Sequence, residues 1–118
     1  MNHRERVLTS LQHREPDRVP IDLGGTIDST ITAVAYRKLR DHLGLGPGTT
    51  RVADVYQHTA LVEEDVRQAL GVDVRLVGDE PLRWREGRLP DGSPALFPDR
   101  FRPRRQPDGS QVVFDDAG

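Results

Sequence analysis

Apolar and polar positions alternate along this chain with two different periods. Val7, Leu8 and Leu11 fall on one helical face while Arg4, Arg6 and Glu15 fall elsewhere, and Asn2 with Glu5 has the spacing of a capping box. The helix is expected to stop before Pro16, because a residue preceding proline is pushed out of the α region. Val19, Ile21 and Leu23 then alternate with Pro20 and Asp22, which predicts a short strand with Pro20 near its start or on an edge. Ser29 or Thr30 is expected to cap a second helix whose apolar face holds Ile31, Val34, Ala35, Leu39 and Leu43, with Gly44 as its left-handed stop. A third helical region is expected from about Val52 to Leu70, broken near Thr59 and stopped by Gly71. Val72 to Val77 reads as the second strand.

From Arg83 onward the pattern shortens. Pro90-Asp91-Gly92-Ser93 and Pro107-Asp108-Gly109-Ser110 are each a tight-turn tetrapeptide, and Leu82–Arg85, Ala95–Phe97 and Val112–Phe114 read as the strands of a β-meander. Two copies of a turn are no repeat architecture. The order helix, strand, helices, strand predicts an α/β protein with a parallel sheet covered by helices. Two parallel strands leave faces and edges open, and a (β/α)₈ TIM barrel takes about 250 residues. The expectation is therefore the N-terminal part of such a barrel, residues 1–80, followed by a β-hairpin-rich insert, residues 81–118, with the piece inactive alone.

Composition narrows the class without naming it. The chain is 35% hydrophobic, 5% aromatic and 31% charged, enough for one modest core. A net charge of -2 steers it toward neither nucleic acid nor an anionic membrane. There is no signal-peptide pattern and no apolar run of spanning length, and the absence of cysteine excludes disulfides and thiolate metal ligands within these residues. A cytoplasmic protein is the expectation.

Arg4-Glu5-Arg6-Val7-Leu8 followed by Arg14-Glu15-Pro16-Asp17-Arg18-Val19-Pro20 resembles the opening of the uroporphyrinogen decarboxylase-like superfamily. The likeness continues through Val62-Glu63-Glu64-Asp65-Val66 to Leu70-Gly71-Val72-Asp73 and into the turn-rich insert. The resemblance implies a (β/α)₈ barrel and either porphyrinogen decarboxylation, a step of porphyrin biosynthesis, or methyl transfer involving a corrinoid protein. It implies a small-molecule substrate. In its decarboxylases, two arginines after the first strand grip substrate carboxylates, a task that suits arginine's planar fork. Those arginines would fall at Gly25 and Ser29 here, which favours the methyltransferase branch. A substrate-binding aspartate at the end of the next strand would fall at Asp79 or Glu80. The methyltransferase branch implies zinc and a corrinoid in the parent protein, with zinc ligands outside these residues.

The residues themselves offer a short set of candidates. Asp22, Gly24, Gly25 and Thr26 stand at the end of the first predicted strand, the face on which barrel active sites lie. Glycine there permits either close approach of a ligand or simply a turn. Asp28 is expected to start the second helix. Asp54 and His58 have i,i+4 spacing, which an ion pair on a helix explains better than a metal. Asp73 and Arg75 are expected on a salt-bridged strand surface. Seven arginines between Arg83 and Arg105 face only three acids; a solvated hairpin face is the favoured reading, and Arg100, Arg102, Arg104 and Arg105 binding an anionic cofactor or RNA is the alternative. Catalytic residues are not assignable from the sequence. Two further alternatives are a non-catalytic interaction module that docks on a partner and a truncated product.

Overall fold

Helix capping follows the sequence closely at the first element. In the computed structural model, which describes residues 1–78, 81 and 83–114, α1 runs His3–Leu11 with Asn2 and Glu5 forming both halves of the capping box. α2 runs Ala33–His42, capped by Thr32 rather than Ser29 or Thr30. β1 (Val52–Asp54) and β2 (Thr59–Ala60) form an antiparallel hairpin, and α3 spans Glu64–Leu70, stopping at Gly71 with φ 63°. β3 (Trp84–Arg88) pairs with β4 (Pro94–Pro98), and β5 (Arg104–Arg105) with β6 (Gln111–Val112), both antiparallel.

This architecture corrects the expected fold class. The described residues hold three helices and three separate two-stranded antiparallel sheets, a small mixed fold in which no part of a TIM barrel is evident. The segments 19–23 and 72–77 are not strands. A ladder needs repeated N–H to carbonyl pairs, and these two share one, Asp73 N to Ile21 O at 2.8 Å. Pro20 has no amide to give. The amide of Ile21 goes instead to the Asp73 side chain, Oδ2 at 2.8 Å.

The expected helix over Val52–Leu70 is likewise a hairpin followed by a short helix. Asp54 Oδ1 accepts from the amides of Tyr56 and Gln57 (2.7 and 2.8 Å), and His58 adopts φ 52°, which reverses the chain into Thr59. Such Asx turns compete directly with helix. The two expected Pro-Asp-Gly-Ser turns form as read, with Gly92 and Gly109 at φ 82° and 87° and each aspartate accepting from the following serine amide. The strands they join are two hairpins rather than one meander. Leu82, where that meander was expected to start, lies outside the described residues.

One hydrophobic core links α2, the β1–β2 hairpin, α3 and the β3–β4 hairpin. It holds Ala33, Tyr36, Val52, Ala60, Val62, Val66, Leu89, Ala95 and Phe97. On α2 the buried stripe is Ala33, Tyr36 and Arg40, while the expected Val34, Leu39 and Leu43 are only partly buried beside it. α1 lies off this core: Leu11 is 70% exposed, and the buried residue of the helix is Arg6. No described helix is long and apolar enough to cross a membrane.

Candidate functional site

The glycine loop after Leu23 is a self-contained turn. Asp22 Oδ1 accepts from the Gly25 amide at 2.8 Å, and Gly24 N donates to Ser29 O at 2.7 Å. Thr26 Oγ1 accepts from the amides of Asp28 and Ser29 and lies 3.1 Å from Ser29 Oγ. Asp28 therefore belongs to this loop and does not start α2. The polar groups of Asp22 and Thr26 serve the turn first, and both residues are exposed.

Packing explains both glycines. Gly24 is buried at φ 86°, and a Cβ there would sit 2.9 Å from Val62 Cγ2. A Cβ at Gly25 would sit 2.6 Å from Asp22 Oδ1 and 2.8 Å from Val74 Cγ2. Gly24→Ala is expected to destabilise the protein by about 1–3 kcal/mol through left-handed backbone strain plus the clash with Val62. Chemical denaturation would check this, and an unchanged midpoint would mean that the loop repacks freely. Asp79 and Glu80 lie outside the described residues.

The chemistry that the fold assembles lies a few residues away. The Asp73 side chain is fully buried and takes five donors: Arg6 Nη1 at 2.5 Å, Arg18 Nη1 and Nη2 at 2.7 and 3.1 Å, His3 Nδ1 at 2.7 Å, and the Ile21 amide. Arg6 also forms a two-pronged pair with Asp17, Nε to Oδ1 at 2.7 Å and Nη2 to Oδ2 at 2.9 Å. Arg18 Nη2 reaches the Gly71 carbonyl at 2.7 Å, tying the stop of α3 into the same cluster. Burial alone would push the Asp73 carboxyl up. Hydrogen bonds from the Ile21 amide and from the Arg18, His3 and Arg6 side chains outweigh it and hold the group well below the usual carboxylate range. Arg6 does the same to Asp17. Both acids are ionised at neutral pH, so neither carboxyl has a proton to give; the cluster latches α1 and residues 17–21 onto the end of α3. Asp73 is thus not on a strand surface, and Arg75 pairs instead with Glu64 at 2.6 Å.

A second buried network joins α2 to α3. Arg40, 2% exposed, donates to Glu63 Oε2 (2.7 Å), to both Asp65 oxygens (2.9 and 2.8 Å) and to the carbonyls of Leu45 and Gly46. Tyr36 OH donates to Glu63 Oε2, and Thr49 N donates to Glu63 Oε1. Burial raises the Tyr36 phenol, so it stays a donor.

Neither network was visible from the local pattern. Its one trace is a charge in register with buried residues, Arg40 at helical spacing from Ala33 and Tyr36. Asp54 and His58 sit on the hairpin turn rather than on a helix, and His58 meets the Phe97 ring edge-on, centroids 6.1 Å apart. Zinc needs three or more converging donors. The chain has no cysteine, and among the described residues no three His, Asp or Glu side chains gather to hold a metal. The zinc that the family resemblance implies takes its ligands from outside these residues. Of the arginine-rich segment, Arg85 binds the Phe101 carbonyl and covers the Phe97 ring, and Arg102 pairs with Asp99. No family model, curated protein or solved structure matches this chain.

Proposed function

We propose that the chain carries the opening elements of a uroporphyrinogen decarboxylase-like protein, with corrinoid-linked methyl transfer as the parent activity. One observation supports the family reading above all. Arg6, Asp17, Arg18 and Asp73 come from three separate runs that carry the resemblance, and they meet in one ion cluster around the buried Asp73 carboxylate. Such a cluster gives a physical reason for these residues to occur together at these spacings. The preference for the methyltransferase branch rests on Gly25 and Ser29. Neither residue supplies the charge a decarboxylase needs to grip carboxylates, and Gly25 has no room for any side chain beside Asp22 and Val74. A small-molecule substrate and a corrinoid protein partner belong to the same proposal, as does any zinc, whose donors would come from residues other than those described.

The full-length gene product is expected to demethylate methylcobalamin in the presence of a thiol acceptor, read from the cobalamin spectrum, and to release no CO₂ from uroporphyrinogen. Rapid decarboxylation with no methyl transfer would overturn the choice of branch. A docking module is the second reading. It is favoured by the outward apolar side chains of the extended segments, with Val19 79% and Val77 94% exposed. Co-elution with a purified corrinoid protein, lost in a Val19→Asp, Val77→Asp double variant, is its test.

A further inference from the structure

We infer that the groove on the outer face of the β3–β4 hairpin binds a small organic carboxylate with an apolar body. The site is separate from the glycine loop and from the Asp73 cluster, and it meets the Arg40 network only behind its wall, where Thr49 N donates to Glu63; it stands or falls apart from the function proposed above. Strand register builds its floor. Glu86 lies opposite Leu96 and Arg88 opposite Pro94, so these four side chains share one face, while Ala95 and Phe97 turn the other way into the core. Arg37 of α2 and the loop at Pro47–Thr50 supply the walls of this open groove of about 630 Å³.

Two arginines line it. Arg37 Nη1 donates to the Pro94 carbonyl at 3.1 Å, and Arg88 Nη1 donates to the Gly92 carbonyl at 2.8 Å. Each is anchored through one nitrogen at the same end of β4; among the described residues neither forms a close ion pair, and the Arg37 charge is felt by Asp91, whose carboxyl it helps to lower. Asp91, in the turn beside them, has its Oδ1 engaged by the amide and hydroxyl of Ser93. The remaining N–H groups suit the fork geometry of a carboxylate. Leu96 and Pro94 offer the apolar surface beneath, and Glu86 on the same face disfavours a second negative charge. Thr50, a wall residue, carries a buried hydroxyl with no hydrogen-bond partner among the described residues.

Titrating the full chain with benzoate, followed by amide ¹H–¹⁵N shifts, is expected to give saturable changes at Thr50, Gly87 and Leu96. Arg37→Gln and Arg88→Gln should each weaken binding about tenfold, while Glu86→Gln should tighten it about threefold by removing a like charge. Benzyl alcohol, the neutral analogue, should not saturate. Inorganic phosphate binding as tightly as benzoate would overturn the apolar-body requirement. Shifts that fail to saturate, or that persist unchanged in both arginine variants, would overturn the site. The Glu86→Gln result keeps the test decisive should either arginine variant fold poorly.

Discussion

Replacing Asp73 with alanine is expected to weaken the attachment of α1 by about 3 kcal/mol, the low end for breaking a buried ion pair by removing one partner. The carboxylate is fully buried beneath Arg6, which is itself 6% exposed. Removing it leaves that guanidinium with Asp17 and the Met1 carbonyl alone and orphans the Ile21 amide. The low end applies because Arg18 and His3 are partly solvated and regain water when released. α1 contributes little to the apolar core, so the loss should be local. Amides of α1 are expected to exchange hydrogen much faster in Asp73→Ala, while the core amide of Ala60 keeps most of its protection. Uniform loss across both regions would show that the latch and the core unfold as one unit.

The same cluster sets an acid limit. Asp73 and Asp17 titrate below their ordinary value near 4 in the folded state, so their contribution is present in full above the unfolded value. It is lost as pH falls from about 5 through the lower folded values, because the unfolded chain binds protons first. The thermal midpoint should fall steeply below about pH 5, and Asp73→Asn should flatten that slope.

Arg40→Met is expected to cost about 3 kcal/mol and lower the thermal midpoint by roughly 10 °C. All the polar nitrogens of this buried guanidinium have partners, and methionine restores the volume but none of the donors. Asp65 is half exposed and returns to water at small cost. Glu63 keeps Tyr36 and Thr49, so the loss falls mainly on its Oε2 and on the carbonyls of Leu45 and Gly46. Arg40→Lys should rescue little, since an ammonium cannot span Glu63, Asp65 and two carbonyls at once. A lysine variant that melts like the parent in circular dichroism would show that charge alone suffices.

Local chemistry was legible wherever a few neighbouring residues decide the outcome. The Asn2–Glu5 capping box, the stop at Gly71 and the two Pro-Asp-Gly-Ser turns each close through bonds within about four residues. The segments 19–23 and 72–77 have strand periodicity but not a ladder, because alternation states which side chains could be buried and not which backbone will pair. Val52–Thr59 carried apolar residues compatible with a helix, and Asp54 redirected it by capping two amides of its own turn. Of the candidate site, Gly24 and Gly25 take the turn that was one of the two readings of them, and Val62 and Val74 pack against it.

What the sequence determined by itself is therefore the punctuation of the chain: caps, stops, turns, and the residue types of a family-like run at its start. Tertiary structure alone decided which charges meet. Asp73 finds Arg6, 67 positions away, and Arg18, 55 positions away; Arg40 finds Glu63 across 23. Pairings over such distances depend on loop closure and on the burial that excludes competing water, and neither quantity is encoded in any local window.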